Sequence, residues 1–556
     1  MNNSLIYLLR NKLKECKLDG FLIPSTDEFQ SEYVPNYLNR LKFITGFSGS
    51  NGAALITLNE AIFFTDGRYL LQAEEELGKI FEIRNISTLV TLSIKENIGY
   101  DPKLYTDSSL KKLQSINLVA CENLVDLIWQ NKPNKKNSQI FEYPLKFSGE
   151  TSIKKIDNLL KHLENNQLDS IIITDPTSIC WLLNIMAHDV EYNPILLSYL
   201  ILHNNGTIEL FSNSQVKATN LTNYSLDELS LRLELIRNNK VQLDPSSASV
   251  WICSHLNETI FAEDPCLLAK ACKNKIEIKQ AKKTHIVDGV AICKLLYWLE
   301  KNQSNQSEIS VAEKLLNFRK EHNHFIYPSF PTIAGFSKHG AIIHYNANEQ
   351  TNLQLEKNGL LLLDSGGQYF GATTDITRVV AIGKATHEQK HNFTLVLKGH
   401  IALARAKFPI GTNGSELDIL ARQYLWQEEK NYAHGTGHGV GTCLGVHEGP
   451  QRIGKMSTCT LKPGMILSNE PGYYKNGEYG IRIENLMLVI ENKNNFLSME
   501  TLTLAPIERN LILSKMLSSD EKLWLNSYHQ KVYNKISSTL KQNEKEWLKQ
   551  KTSLIS

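Results

Sequence analysis

The sequence predicts a protein of mixed α/β (α+β) class that is built from several domains. Its 556 residues exceed the roughly 250–300 residues at which a single hydrophobic core stops growing. Short apolar runs bounded by Gly, Pro, Asn and Asp, which are typical of strands, interleave with segments of helical periodicity. The helix–strand pattern restarts near Gly149 and changes again after residue 270. We therefore expect two or three domains.

Residues 1–148 are expected to form the first α/β domain. A helix from Leu5 to Cys16 precedes a strand from Gly20 to Pro24, and glycine-rich turns separate the apolar runs that follow. A polar stretch from Gln130 to Ser138 contains Pro133 and is typical of a linker.

Residues 149–270 are expected to form a second α/β domain, because the same alternation begins again. A helix from Ser152 to Asn165 is followed by predicted strands at Ser170–Thr174, Ser198–His203 and Thr207–Phe211.

Residues 271–510 are expected to form a third domain and residues 511–556 a helical extension. Two predicted helices, His387–Lys407 and Ser415–Glu429, interleave with apolar strands in the third domain. The residue types that support chemistry concentrate in this region.

Composition and charge argue against several classes of partner. The hydrophobic fraction of 42% and the charged fraction of 21% are ordinary for a globular protein. The formal net charge is +2, so the sequence lacks the concentrated basic face that binds nucleic acid or an anionic membrane. We expect neither a nucleic-acid partner nor a membrane partner.

The cysteines and the N-terminal residues favour a cytoplasmic protein. The nine cysteines are odd in number, scattered, and without a Cys-x-x-Cys pair, which indicates a reducing compartment. The first apolar stretch has only five residues before charge returns, too few for the core of a signal peptide. No later run approaches the roughly 20 apolar residues of a membrane span.

Two aspartates are predicted to face each other across a hairpin. Asp364 ends the apolar run that begins at Gly359, just where Gly366 and Gly367 reverse the chain. Asp375 opens the next strand, so the two carboxylates can lie side by side on neighbouring strands. Adjacent carboxylates repel unless a proton or a cation lies between them. Two unrelated surface aspartates remain the alternative.

A glycine-rich loop carries two histidines. In His434-Gly-Thr-Gly-His438-Gly-Val-Gly, alternate glycines let the backbone approach a ligand closely, and the loop lacks the Lys-Ser/Thr of a phosphate cradle. Imidazole is both a common metal ligand and a proton carrier near neutral pH. The alternative is a flexible turn with incidental histidines.

Two glutamates complete the candidate set. Glu470 follows an apolar strand and is followed at once by Pro471, so its carboxylate lies at a strand end. Glu484 lies within the apolar segment Tyr479–Val489, which predicts a single strand with Arg482 and Glu484 on one face. A buried carboxylate is unfavourable unless it is paired or bound. An ion pair with Arg482 is the alternative to metal binding.

Charge arithmetic favours two metal ions over one. Four carboxylates and one neutral imidazole carry four negative charges, which two divalent cations neutralise and one does not. Oxygen-rich ligation with a single nitrogen suits harder ions, so manganese is the first choice, with zinc and cobalt as alternatives.

Seven short motifs follow one another in the order found in a known family. They are Gly-Ala-Ile-Ile-His-Tyr (340–345), Leu-Asp-Ser-Gly (363–366), Thr-Thr-Asp-Ile-Thr-Arg (373–378), His-Gly-Thr-Gly-His-Gly-Val-Gly (434–441), Val-His-Glu-Gly-Pro (446–450), Asn-Glu-Pro-Gly-Tyr-Tyr (469–474) and Gly-Ile-Arg-Ile-Glu-Asn (480–485). By these motifs the chain resembles the pita-bread metallopeptidases, and within them the cytosolic three-domain branch of the Xaa-Pro aminopeptidases (aminopeptidase P). The tail motif Trp-Leu-Asn-Ser-Tyr-His (524–529) also looks like that longer branch.

The resemblance covers nearly the whole chain and implies a fold and a metal site. The fold would be two creatinase-like N-terminal α/β domains followed by a C-terminal pita-bread catalytic domain. Asp364 would hold one metal, Asp375 and Glu484 would bridge both, and His438 with Glu470 would complete the second site. Glu470 would also accept the proton of the nucleophile.

The resemblance also assigns the remaining site residues. His344, His434 and His447 would position the substrate and stabilise the tetrahedral intermediate, with proton delivery at His447. Arg482 would support the site from beside Glu484. Without the family, ordinary loop histidines are the better interpretation of His344 and His447.

Two segments depart from the family pattern. Met186-Ala187 stands where Arg-Gly is expected in relatives, and the loop from Gly335 to Gly340 is unusual. These departures concern substrate contacts and leave the metal ligands untouched.

The implied reaction is hydrolysis of the bond between an N-terminal residue and a penultimate proline by a hydroxide shared between two metals. The family resemblance also implies a homodimer. Within the same class of enzyme the alternative is prolidase, which accepts only dipeptides. A pita-bread binding module without catalysis and a metal-free creatinase-like hydrolase are further alternatives, although their relatives lack parts of the ligand set that stands here.

Overall fold

The computed structural model describes residues 2–135 and 138–556 and divides the chain into two compact units. The first unit comprises Met1–Leu145 with Glu150–Leu267, and the second comprises Lys146–Gly149 with Leu268–Ser556. Residues 136 and 137 of the predicted linker lie outside the described residues. The domain boundaries expected from the sequence stay predictions.

A six-stranded mixed sheet forms the core of the N-terminal half of the first unit. Its strands run in the order Glu82–Asn85, Ala61–Thr65, Ala53–Thr57, Gly20–Pro24, Ile94–Tyr100 and Ile116–Ala120, and the helices of this half are Asn2–Glu15, Arg40–Thr45, Leu70–Leu77, Ile86–Leu89, Asp107–Leu110 and Leu124–Ile128. In the strand Gly20–Pro24, Phe21 and Ile23 belong to one hydrophobic cluster and Leu22 to another. The strand therefore has cores on both faces, which explains its uninterrupted apolar run.

A second six-stranded mixed sheet belongs to the same unit. Its strands run in the order Leu221–Tyr224, Ile208–Phe211, Tyr199–His203, Ser170–Ile173, Lys240–Leu243 and Glu258–Phe261; the helices here are Ser152–Asn165, Pro176–Leu183, Leu229–Leu235, Val250–Cys253 and Pro265–Ala271, and the short strands Phe141–Glu142 and Ile185–Met186 pair with each other. The predicted helix and the three predicted strands of this region are present, with each strand one residue shorter than expected.

The second unit is built from helices around several small sheets. Its helices are Lys275–Lys301, Glu308–Lys320, His387–Ala404, Gly414–Trp426, Ser519–Ile536 and Gln542–Lys551, with a short helix Leu145–Ser148 at its N-terminal segment. Its sheets are Phe325–Pro328 with Gly367–Tyr369 and Ala372–Thr373; Ile333–Phe336 with Gly359–Ser365 and Ile376–Ile382; Lys407–Pro409 with Phe496–Thr501, Asn485–Glu491 and Ile466–Asn469; Gly437–His438 with Arg452–Ile453; and Gly472–Lys475 with Tyr479–Arg482.

Three element predictions in the second unit differ from the structure. The helix expected at Ser415–Glu429 runs from Gly414 to Trp426. The helix that begins at His387 ends at Ala404, because Lys407–Pro409 leaves it to pair with the strand Phe496–Thr501. The segment Tyr479–Val489 is not one strand, since it pairs with two different sheets on either side of Ile483 and Glu484.

The break at Glu484 has a clear physical cause. The backbone N–H of Ile483 donates to the carbonyl oxygen of Pro471, and that of Glu484 donates to the carbonyl oxygen of Thr377. The first bond extends the hairpin of Gly472–Lys475 with Tyr479–Arg482, whereas the second reaches a segment that is distant in sequence, so a tertiary hydrogen bond overrides the local strand pattern. Glu484 is thereby placed beside the strand Ile376–Ile382.

Two further features concern the helices and the cysteines. Within residues 2–135 and 138–556, none of the helices has the length and apolar character required to cross a bilayer. All nine cysteines are free thiols.

A buried ion pair supports the turn that follows Asp364. The Arg319 guanidinium donates to both oxygens of Asp288, at 2.8 and 3.3 Å, and also to the carbonyl oxygen of Gly366 and the hydroxyl of Ser365. Tyr369 donates its hydroxyl to the same Asp288 carboxylate. The pair therefore fixes the backbone directly after Asp364 and, with it, the position of that side chain.

Replacing Asp288 by Asn should destabilise the chain strongly. The substitution leaves the Arg319 charge buried without its counter-ion, and breaking a buried pair in this way lowers the free energy of unfolding by about 3–5 kcal/mol. The measurement is urea unfolding of the metal-free chain. The control is Asp520→Asn, which breaks the exposed pair with Arg405 and should change stability by about 0–1 kcal/mol. Equal changes in the two variants would contradict this account.

Candidate metal centre

The hairpin places two aspartates at the edge of one sheet. Asp364 lies in the strand Gly359–Ser365 opposite Thr377, and Asp375 directly precedes the strand Ile376–Ile382. Both side chains are buried, and the Oδ1 atom of each has no hydrogen-bond partner. A buried carboxylate oxygen without a donor is unfavourable, so each is available to a cation.

Three of the predicted ligands converge most closely. Asp375, His438 and Glu484 each offer one ligand atom, and these atoms all lie within 4.8 Å of one another. Glu484 is 1% exposed, and one of its oxygens accepts a hydrogen bond of 3.0 Å from the hydroxyl of Thr377. That bond orients the carboxylate without adding a charge.

The position of His438 fits a metal ligand. Its Nδ1 lies 3.0 Å from the carbonyl oxygen of Gly439, to which it donates, so in the neutral ring Nε2 carries the lone pair. Nε2 lies 3.4 Å from Oδ2 of Asp375 and 3.6 Å from Oε1 of Glu470. A lone pair that faces two carboxylates is repelled, and a cation between them converts the repulsion into attraction.

Glu470 lies one residue beyond the strand Ile466–Asn469. Its backbone N–H donates to the carbonyl oxygen of Thr436, which ties it to the glycine-rich loop. The hydroxyl of Ser468 donates to Oε1 at 3.3 Å and accepts from the backbone N–H of His438 at 3.0 Å. One serine therefore sets the relative positions of two predicted ligands.

Arg482 contacts Asp364 and not Glu484. Its Nη2 lies 2.6 Å from Oδ2 of Asp364, and its Nη1 donates to the hydroxyl of Tyr474 at 2.6 Å. Its Nε donates to the hydroxyl of Thr377, which in turn donates to Glu484. The ion pair between Arg482 and Glu484, the alternative to metal binding, is therefore not formed.

The three further histidines surround the carboxylates in different ways. The Nε2 of His434 lies 2.8 Å from the hydroxyl of Tyr474, while its Nδ1 donates to the carbonyl oxygen of Gly435. His447 is exposed, and its ring lies perpendicular to that of His438 with the centroids 4.3 Å apart. His344 is half-buried in the turn after Ile343.

The turn that carries His344 is fastened to the site. The carbonyl oxygen of Ile343 accepts from Nη2 of Arg482 at 3.3 Å. The unusual loop from Gly335 to Gly340 leads into this turn, and a Cβ atom on Gly480 would lie 1.7 Å from the carbonyl oxygen of Gly340. Only glycine at position 480 allows this close approach.

Burial and mutual repulsion govern the charge of the site. Burial raises the pKa of Asp375 well above its usual value, and the negative charges of Asp364 and Glu470 raise it further. Burial likewise raises the pKa of Glu484, and the negative charge of Asp375 raises it further. Without a cation, both carboxyls therefore bind protons more readily than an ordinary carboxyl does.

Some residues of the site were missed by the sequence analysis. Thr377 and Tyr474 both stand in the family motifs, yet the local sequence pattern does not reveal their hydrogen-bond partners. Ser468 lies inside an apolar strand, and nothing in the sequence indicates its role.

The Met186-Ala187 departure from the family pattern lies in the first unit, where both side chains are buried.

The residues present fit a pair of divalent cations. Two orphaned carboxylate oxygens, a histidine lone pair aimed at carboxylates and two carboxyls with raised pKa all favour bound positive charge. Oxygen ligands outnumber nitrogen ligands, which is typical of sites for harder ions.

Matches to known families cover almost the whole chain. Metallopeptidase family M24 matches residues 279–491 and its C-terminal region matches 495–555, while creatinase/prolidase N-terminal domains match 6–128 and 131–277. The fold and site thus define an M24 metallopeptidase preceded by two creatinase-type domains.

Full-length relatives identify the family within the M24 metallopeptidases. The chain is 37% identical to a probable Xaa-Pro aminopeptidase P of Laccaria bicolor, covering 98% of this chain and 92% of the relative. It is also 37% identical to Xaa-Pro aminopeptidase 1 of Dictyostelium discoideum, covering 97% and 95%. The chain belongs to the Xaa-Pro aminopeptidase (aminopeptidase P) family, which confirms the family expected from the motifs.

Solved structures agree with this assignment. The X-prolyl aminopeptidase of Caenorhabditis elegans, described as a cytosolic enzyme with a dinuclear active site, superposes with a TM-score of 0.95 at 33% identity over 100% of both chains. A prolidase of Thermococcus sibiricus superposes with a TM-score of 0.52 at 21% identity, covering 65% of this chain and 98% of the prolidase. The second likeness concerns the fold alone.

Metal binding should release protons. Because the pKa values of Asp375 and Glu484 are raised in the metal-free chain, a cation that binds these carboxylates should displace protons from them. Titration of the metal-free chain with MnCl₂ by calorimetry, in two buffers of different ionisation enthalpy, measures the number of protons released. Asp375→Asn should release fewer protons than the unaltered chain, and equal release would contradict the assignment.

The same raised pKa values set the sign of the pH dependence of stability. The folded metal-free chain binds more protons than the unfolded chain above the usual carboxyl pKa, so its free energy of unfolding should fall as pH rises through the folded pKa values. Manganese should remove most of this fall, as measured by urea unfolding between pH 5 and pH 8.

Proposed function

We propose that this chain hydrolyses the peptide bond between an N-terminal residue and a penultimate proline, using two divalent cations held by Asp364, Asp375, His438, Glu470 and Glu484. One observation carries the proposal. Buried carboxylates, of which Asp364 and Asp375 each have an oxygen without a hydrogen-bond donor, converge on Nε2 of His438. The names of the full-length relatives support the substrate class.

When bound, the two cations would supply a water of lowered pKa and polarise the carbonyl that is attacked. The remaining steps belong to side chains. Glu470 accepts the proton of the attacking water at its carboxylate, where Oε1 is held by Ser468 and Oε2 lies 3.9 Å from Nδ1 of His434.

The histidines act on the substrate. His447 is the proton donor to the proline nitrogen as that nitrogen leaves, because its ring is exposed and lies against His438. His344 and His434 orient the substrate and stabilise the charge that develops on the carbonyl oxygen. Arg482 holds Asp364 in place through the ion pair of 2.6 Å.

Proline at the second position requires a dedicated site. Its nitrogen has no N–H and its ring fixes φ, so a peptidase that binds substrate as an added strand loses one hydrogen bond and meets a steric clash. A catalytic site whose contacts come from side chains avoids both penalties. In this proposal the side chains of His344, His434 and His447 supply such contacts.

Manganese, a cytoplasmic location and a homodimer complete the proposal. The oxygen-rich ligand set suits manganese, with zinc and cobalt as alternatives. The similar C. elegans enzyme is described as cytosolic, and all nine cysteines of this chain are free. The homodimer is supported by the family resemblance, and sedimentation equilibrium tests it.

A peptide panel tests the substrate class. Chelation should abolish hydrolysis of Arg-Pro-Pro, and manganese should restore it more fully than zinc or cobalt does. Gly-Pro should remain a poor substrate, because a dipeptide is the substrate of a prolidase. Exclusive cleavage of Gly-Pro would identify a prolidase instead, and no cleavage with any metal would favour a binding module.

Replacing His447 by Ala should separate proton delivery from metal binding. Losing a general acid lowers kcat by about 10²–10⁴-fold, whereas the metal content should stay unchanged because His447 is not among the ligands. Steady-state kinetics and elemental analysis measure the two quantities. His391→Ala, which removes a half-buried histidine paired with Glu428, serves as the control and should match the unaltered chain. Retained kcat in His447→Ala would exclude this role.

A further inference from the structure

A buried arginine holds the backbone next to two predicted ligands. Nη1 of Arg378 donates to the carbonyl oxygens of Thr377, at 2.9 Å, and Glu484, at 2.6 Å. Its Nε donates to the carbonyl oxygen of Pro506 at 3.1 Å. All three acceptors are neutral carbonyl oxygens, and those of Glu484 and Pro506 belong to other segments than Arg378 itself. The guanidinium therefore acts as a clamp between these segments, with a geometry set by its planar fork.

The C-terminal helix completes this clamp. Tyr528 lies in the helix Ser519–Ile536, and its hydroxyl lies 2.8 Å from Nη2 of Arg378, from which it accepts. The same hydroxyl lies 2.8 Å from the carbonyl oxygen of Ala505 and 3.3 Å from Oδ1 of Asn485. One oxygen atom thus joins the helix, the arginine and the residue that follows Glu484.

The network continues to the second glutamate. Nδ2 of Asn485 donates to Nε2 of His400 at 3.1 Å, and Nδ1 of His400 donates to the carbonyl oxygen of Asn469, which precedes Glu470. Burial lowers the pKa of His400 to about 3, so the ring is neutral and this donor–acceptor order is fixed. Trp524, one helical turn before Tyr528, packs edge-on against His400.

We propose that Tyr528 is a positioning residue for the metal centre, acting through Arg378 and Asn485 on the backbone of Glu484 and, through His400, on that of Asn469. The proposal rests on the function proposed above. It places the motif at 524–529 among the groups that position the metal ligands, since this helix contacts the residues that hold the backbone at two of the carboxylates.

The requirement for the clamp follows from the shape of the chain at Glu484. The residue lies between two strands, where the ladder hydrogen bonds of a sheet do not hold it. Its carboxylate position depends instead on contacts made by neighbouring groups. Partners that orient metal ligands in this way typically change metal affinity or activity by about 10–100-fold when removed.

The test is Tyr528→Phe in the full-length chain, which removes one oxygen and retains the ring that stacks on Trp524. Metal-free protein is titrated with Mn²⁺ alone, and the free ion is followed by electron paramagnetic resonance. We expect Mn²⁺ affinity to fall by about tenfold, with kcat on Arg-Pro-Pro reduced and KM within about twofold. Tyr533→Phe, on the same helix, is the matched control and should equal the unaltered chain.

A second variant guards against a simple loss of folding. Asn485→Ala breaks the same network without altering the helix and should weaken Mn²⁺ binding in the same way. Near-ultraviolet circular dichroism at 10 °C establishes that each variant is folded before titration. Folded Tyr528→Phe and Asn485→Ala that bind Mn²⁺ as tightly as the unaltered chain would overturn the positioning role. An unaltered chain that neither binds Mn²⁺ nor cleaves Arg-Pro-Pro would overturn the proposed function itself.

Discussion

Repulsion among buried carboxylates is the constraint on which the second unit depends. Asp375 and Glu484 are almost fully buried, and the negative charges of Asp364 and Glu470 further disfavour the charged form of each. Arg482 pairs only with Asp364, so the arginine neutralises one charge and leaves the others. A folded chain with this arrangement needs protons or cations to be stable. The site is therefore incomplete as a set of side chains alone.

The groups that orient the carboxylates are mostly neutral. The Thr377 and Ser468 hydroxyls and the carbonyl oxygen of Gly439 fix Glu484, Glu470 and His438, respectively, and none of them adds charge. A second arginine at these positions would compete with a metal for the carboxylates. Neutral hydrogen bonds hold the ligands in place while leaving their negative charge for the cations.

Sequence patterns predicted what is local and failed where distant segments decide. The hairpin that carries Asp364 and Asp375 was expected because its turn residues and strands are contiguous. The break at Glu484 was not, since the apolar pattern continues through it and the hydrogen bond that diverts the chain, from the N–H of Glu484 to the carbonyl oxygen of Thr377, reaches a distant segment. The partner of Arg482 was missed for the same reason. The roles of His344, His434 and His447 came from family resemblance, because the sequence around an isolated loop histidine does not reveal its function.

The separation of the ligands along the chain gives the cations a second effect. Asp364 and Glu484 lie more than a hundred positions apart, with two long helices between them. A cation bound by both, as proposed above, would close a long loop and remove many conformations from the unfolded ensemble, much as a covalent cross-link does. The entropic gain from loop closure would make the metals a cross-link between the beginning and the end of the catalytic fold.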